Sequence, residues 1–211
     1  GEAIFRREAQ NCLKCHSIAG AGGRVGPDLV SIGASAQRDY LVESILDPSA
    51  KIKENYHALT VVADGVITSG VKIRETDTEL VLRDVEDREI TIPVDALEAR
   101  KEAGSIMPVG LADELTRQEL VDLVRFLSEL GKVGPYAVGQ TPVARRWEVR
   151  THASDGSYDP SADHDQWTSV YSTVAGNLPV ASVKASDSGE RIVRCRLDVA
   201  KEGKVELRLA G

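Results

Sequence analysis

The spacing of apolar residues along this chain changes period twice. Residues 1–11 (GEAIFRREAQN) put Ile4, Phe5 and Ala9 at helical spacing, with Gly1 small enough to admit close approach by another helix. The stretch SIAGAGGRVGPDL that follows residue 16 has glycines at 20, 22, 23 and 26, which exclude a long regular element and predict a loop. Ser35 stands as N-cap of a second predicted helix carrying Tyr40, Leu41, Ile45 and Leu46. That helix stops before Asp47-Pro48, because proline disfavours helix in the residue before it. From about Tyr56 the period is that of strands. Residues 59–62 and 66–73 flank Asp64-Gly65, a hairpin signal, and 80–82 and 90–92 add two more strands, so a four-stranded β-meander is expected over about 56–93. Residues 94–104 read as a short helix and 105–108 as loop. Thr116 and Glu119 then form a capping box that opens the strongest predicted helix, with Leu120, Leu123, Val124, Leu127 and Leu130 on one face, Phe126 beside it and Gly131 closing it.

Proline and glycine mark a linker over 133–142, and the second change of period follows it. Trp147 and Val149 alternate with polar residues, 167–174 is strand-like, and 192–199 and 205–209 flank Lys201-Glu202-Gly203 as a hairpin. The pattern is that of part of a β-sandwich. It stops at Gly211 directly after a strand, so the native chain is expected to continue.

A chain of 211 residues is long for one small unit and favours two: 1–132, with the β-meander as an insert, and 143–211. With 42% apolar and 28% charged residues, disorder is not indicated. No apolar run approaches the ~20 residues that span a bilayer. A formal charge of −7 argues against a non-specific nucleic-acid surface. No basic-then-apolar leader opens the chain, so the expectation is that a leader has been removed or that this is a piece of a longer protein.

One pentapeptide names a chemistry. Cys12-Leu13-Lys14-Cys15-His16 has the C-x-x-C-H form of a c-type haem attachment site, in which two thiols bond to the porphyrin vinyl groups and the histidine coordinates iron. Two rivals use the same cysteines. A structural zinc site needs about four ligands, and the only other cysteine, Cys195, is distant and lacks a spaced partner. A thioredoxin-like redox pair expects a βαβ setting, which the helical and glycine-rich flanks do not supply.

Iron held by His16 on one side takes a sixth ligand or leaves an open site. Met107 is the sole methionine, placed in a proline-flanked loop just ahead of the capped helix. A thioether favours ferrous iron, so His/Met ligation raises the potential and suits electron transfer. Its competitors are His57, at the start of the first predicted strand, and His152 and His164, in polar loop sequence.

The order of amphipathic helix, CLKCH, GPDL, helix, Met-Pro loop and amphipathic helix resembles class I cytochrome c. More closely, CLKCH, GRVGPDLVSIG, YLVESILDPSAKI, the Asp64-Gly65 hairpin, SIMPVGL and LVDLVRFLSEL together resemble the haem-binding c-type domain of Planctomycetes and Verrucomicrobia, over about residues 1–132. The resemblance implies an α+β fold: a class I cytochrome c-like helical haem domain with a β-meander insert, followed by a β-sandwich-like C-terminal region. It implies that the first and last helices cross, packing Phe5 against Leu123, Phe126 and Leu127. It gives Pro27 a backbone role, its carbonyl accepting a hydrogen bond from His16, which fixes the ring and raises its basicity as a ligand. The distance of Phe5 from Cys12 implies an extended or kinked first helix. The family is often part of large exported proteins, some with sugar-dehydrogenase-like propellers, so a periplasmic or otherwise exported location is expected.

The leading expectation is therefore one-electron transfer, not enzymatic catalysis, through one covalent haem c held by Cys12, Cys15, His16, Pro27 and Met107. The partner is a fused dehydrogenase domain or a separate redox protein, with no nucleic acid and no transmembrane segment in this chain. The alternatives are a haem-based sensor in which a small ligand displaces Met107, and a β-rich region that binds carbohydrate or protein through Trp147 and Trp167. Asp155, Asp159, Asp163 and Asp165 raise the question of calcium without EF-hand spacing. Cys195 alternates with Val193, Leu197 and Val199 and is expected to point inward as a small apolar residue.

Overall fold

The structure, a computed structural model, describes residues 1–150, 167–179, 183, 192–196 and 202. Its architecture is predominantly β, and the expected α+β class built on a helical cytochrome c-like domain is not what it shows. Among the described residues there are three sheets and five α-helices, only two of the helices longer than one turn. The helices are α1 (Glu2–Phe5), α2 (Cys12–Cys15), α3 (Ile32–Ser35), α4 (Arg38–Leu46) and α5 (Arg117–Glu129). The physical reasons are local. The first predicted helix breaks after Phe5 and resumes only as a 3-10 turn at Glu8–Gln10, ended by Asn11 in the left-handed region at φ 52°. Ser35 ends α3 instead of capping the second helix, whose N-cap is Gln37.

The insert is larger than the four-stranded meander expected over 56–93. It comprises β3 (His57–Ala63), β4 (Val66–Glu75), β5 (Glu79–Arg83), β6 (Glu89–Pro93) and β7 (Leu97–Ser105), all antiparallel in the order β6-β5-β4-β3-β7. The helix expected over 94–104 is a 3-10 turn at Val94–Ala96 followed by β7. Leu59, Val61, Leu80, Leu82 and Ile92 form the core of this sheet. First and last strands pair with each other, His57 opposite Ser105, so entry and exit of the insert lie side by side.

A small hairpin, β1 (Ser17–Ile18) and β2 (Ala21–Gly22), follows α2. The C-terminal region contributes β8 (Arg146–Arg150), β9 (Trp167–Tyr171) and β10 (Ile192–Arg194), one sheet of order β10-β8-β9 among the described residues. The 205–209 strand of the expected hairpin lies outside the described residues. No described helix is long and apolar enough to cross a membrane.

The largest core gathers Ile4, Phe5, Ile18, Leu41, Ile45, Leu123, Val124, Phe126, Leu127 and Leu130, with Val174 from beyond β9. Phe126 is 1% exposed, and burying a side chain of that size contributes about 2–3 kcal/mol. It meets Phe5 at 6.0 Å between ring centroids and Tyr136 edge-on at 4.8 Å. The close approach at Gly1 is real: a Cβ there would stand 2.3 Å from the Phe126 Cβ and 2.4 Å from the Asp122 carbonyl oxygen. Arg6 donates to the Tyr171 and Ser172 carbonyls, and Glu2 accepts from the Val174 amide, which ties the C-terminal strands to α1.

Candidate functional site

The site begins with one turn of helix. In α2 the two cysteines, three apart, share a face, and the His16 amide closes the turn on the Cys12 carbonyl at 2.8 Å. The chain then folds back under this turn. Gly23 N donates to Leu13 O at 3.0 Å and Gly26 N to Cys15 O at 2.8 Å, so residues 23–26 run along the backbone that carries the thiols. The Asp28 carboxylate organises this return, accepting from Ser17 Oγ and from the Ala19, Gly20 and Val30 amides at 2.8–3.1 Å. Burial alone would raise its pKa. The hydrogen bonds from Gly20, Val30, Ala19 and Ser17 outweigh burial and hold the carboxyl below its ordinary value.

His16 Nδ1 lies 2.9 Å from the Pro27 carbonyl oxygen, the bond that the resemblance implied. A carbonyl only accepts, so Nδ1 carries the proton and Nε2 keeps the lone pair a metal requires. Burial lowers the His16 pKa, more strongly than the Pro27 bond and the nearby Asp28 charge raise it, which favours the neutral imidazole.

A cavity of about 420 Å³ opens beside these residues. Cys12, Cys15, His16, Pro27 and Met107 all line it, so the five positions named from the sequence share one wall system. Apolar walls come from Phe5, Val25, Leu41, Ile45, Leu123 and Leu127, which also belong to the chain's buried core. Lys51, Lys53, Tyr40 and Tyr56 supply polar lining. His57 is exposed at the start of β3 and does not line the cavity, whereas His152, His164 and the 155–165 acidic loop lie outside the described residues.

The residues fit a covalently attached haem. Two thiols on one helical turn, a neutral imidazole with a fixed tautomer and a thioether border a single apolar cavity, which is the donor set and the wall chemistry that group requires. The rival chemistries fit less well. Burial pushes the Cys12 thiol up to about 11 and raises Cys15 too, whereas a redox dithiol works through a lowered pKa. Among the described residues no three His, Cys, Asp or Glu side chains converge as a metal site, and structural zinc takes about four ligands.

Sequence reasoning missed how the insert reaches this site. The turn between β5 and β6 returns to α2: Val85 lines the cavity, Lys14 pairs with Glu86 at 3.0 Å, and Arg24 reaches Asp87 at 3.3 Å. Arg83, nearly buried, adds a bond to the Arg24 carbonyl at 3.2 Å and a pair with Asp87 at 3.2 Å. The available signal is the density of charge over residues 83–89, between the strands expected at 80–82 and 90–92. The organising role of Asp28 was also missed, although an aspartate between proline and a loop is a turn-forming position.

Cys195, expected to point inward, is buried only in part. It lies just past β10, half-buried, and Val193, its intended neighbour on the apolar face, is 40% exposed. Trp167 is covered by the Arg194 guanidinium at 3.9 Å, and Trp147 Nε1 donates to Ala144 O and Ser172 Oγ, so both tryptophans are engaged within the chain. A scan against protein-family models found no match to this chain, and a search of the curated proteins found none either.

Proposed function

We propose that the chain is a one-electron carrier with a single covalent haem c. Cys12 and Cys15 would form the thioether links, and His16 and Met107 would supply the nitrogen and sulfur that hold its iron. The observation that carries this reading is the convergence of all four, with Pro27, on one apolar cavity of about 420 Å³. When bound, the group supplies a reversible one-electron couple. The chain's own residues do the rest. Pro27 O holds the His16 ring and its Nδ1 proton. The apolar walls exclude water and disfavour the more cationic oxidised state, and the Met107 thioether acts in the same direction. The donor or acceptor is a dehydrogenase domain of the same exported polypeptide or a separate redox protein, in keeping with the sequence resemblance over residues 1–132.

The test is a redox titration with optical spectra on wild type and Met107→Ala, together with mass spectrometry of the digested protein. The reading expects porphyrin mass on the Cys12–Cys15 peptide alone, a far-red Met–iron band in the oxidised wild type, and loss of that band with a lower potential in the variant. A wild type lacking the band, with rapid carbon monoxide binding when reduced, favours a ligand sensor instead.

A further inference from the structure

We infer that Ser105, seated by Ser49, is the positioning residue that holds Met107 at the cavity, so that the β-insert governs how firmly the sixth ligand is presented. This rests on the reading of Met107 as that ligand. The loop has little apolar burial of its own: Ile106 and Met107 are half-buried, Pro108 is exposed, and Val109 is 74% exposed. Directed bonds fix its backbone where it leaves the sheet. Ser105 Oγ accepts from the Met107 amide at 3.1 Å, closing a two-residue serine turn that fixes the backbone from which the thioether projects. Ser105 is itself the last residue of β7, opposite His57 in the sheet. Its own amide donates to Ser49 Oγ at 3.1 Å.

Ser49 belongs to the turn that leaves α4, where the Ala50 amide donates to the Asp47 carbonyl at 3.0 Å. Helix α4 lines the cavity through Tyr40, Leu41, Ser44 and Ile45. The strand passes this turn so closely that a Cβ on Gly104 would stand 2.7 Å from Ser49 Oγ. The chain of contacts from α4 through Ser49 and Ser105 to Met107 thus joins one cavity wall to the residue proposed as ligand.

The experiment uses the haem-loaded protein and follows the far-red Met–iron band of the oxidised form across a pH or urea titration. Losing one net hydrogen bond corresponds to about a fivefold rise in the Met-dissociated population for Ser105→Ala. A faster approach of carbon monoxide to the reduced form is expected to accompany it. Ser105→Thr keeps the hydroxyl and is expected to restore the wild-type midpoint, whereas Ser49→Ala shifts it the same way by a smaller factor. A Ser105→Ala protein with the wild-type midpoint overturns the inference. If that variant does not fold, Ser49→Ala decides: an unchanged midpoint there overturns it equally. If Met107→Ala keeps the band, Met107 is not the ligand and both readings fall together. Loss of the band in Met107→Ala with no response at Ser105 removes this inference alone.

Discussion

Gly26 abuts the His16 imidazole so closely that a Cβ on it would stand 2.5 Å from Cε1 and 2.7 Å from Nδ1. The glycine is held there by its amide bond to Cys15 O, so neither partner can retreat without disturbing α2 or the Pro27 bond. Gly26→Ala is expected to displace the ring and to lower stability by about 1–3 kcal/mol, the usual cost of overpacking a fixed site. Urea unfolding of the haem-free protein measures the cost. A loss of haem incorporation, or a shifted potential in what is incorporated, reads the displacement of His16. A variant with wild-type midpoint and spectrum would show that the ring has room the structure does not give it.

The thiols offer a second check, made before any haem is attached. With Cys12 pushed up to about 11 from an ordinary 9, mainly by burial, its thiolate fraction at pH 8 falls about a hundredfold. Iodoacetamide should therefore modify Cys12 of the folded, haem-free protein about tenfold more slowly than an unstructured cysteine, the greater nucleophilicity of a high-pKa thiolate offsetting part of its scarcity. Urea should abolish the difference. Peptide mass spectrometry at timed quenches gives the rates, and equal rates in folded and unfolded protein would exclude the buried thiol described above.

The turn between β5 and β6 predicts a third outcome. Asp87, at φ 61°, sits within 3.2 Å of Arg83, 3.3 Å of Arg24 and 3.8 Å of Arg146, so one carboxylate gathers cations from the insert, the loop after α2 and β8. Asp87→Ala leaves the nearly buried Arg83 short of a partner, although its bonds to the Arg24 carbonyl and Glu89 remain. A loss of about 1–3 kcal/mol is expected. Because the Asp87 and Glu86 charges of this turn reach the Cys15 thiol, and Val85 lines the cavity, alkylation of Cys15 should accelerate more than that of Cys12. Uniform acceleration of both would mean global loosening and would deny the turn its local role.

What the sequence revealed follows from the range of the forces involved. Short-range codes were legible: the Thr116–Glu119 capping box, present with both reciprocal bonds, and the Asp64-Gly65 turn between β3 and β4. The five positions named from the sequence, Cys12, Cys15, His16, Pro27 and Met107, do line one cavity. Residues 94–104 were misread for a physical reason. Ala, Leu, Glu, Lys and Arg favour helix locally, but pairing with β3 overrides that preference, and every residue of β7 from Glu98 to Gly104 is exposed, so no alternation marks the strand. The helical class expected from the resemblance failed for a related reason. Sheet pairing across 57–105 is decided by tertiary partners, which local propensity does not report.

The last expectation concerns acid. Glu119 closes the capping box on Thr116 and also takes the Arg7 guanidinium, which links the segment after α1 to the start of α5. The Arg7 bond first, and then the Thr116 amide and hydroxyl, bring its pKa from an ordinary 4.5 down to about 2. A carboxyl whose pKa is depressed on folding contributes stability that is complete above its unfolded value and is lost as pH falls through the folded one. The stabilisation should therefore be constant above about pH 5 and should fade between 4.5 and 2. Glu119→Gln retains a capping-box side chain and removes the charge, so the difference in thermal midpoint between wild type and variant isolates this effect. That difference should be flat near neutrality, shrink below pH 4.5 and close near pH 2. It should also narrow with added salt, since the pair is exposed to solvent. A gap that stays the same from pH 6 to pH 2 would mean that the ionised carboxylate does not hold Arg7 and the helix start together.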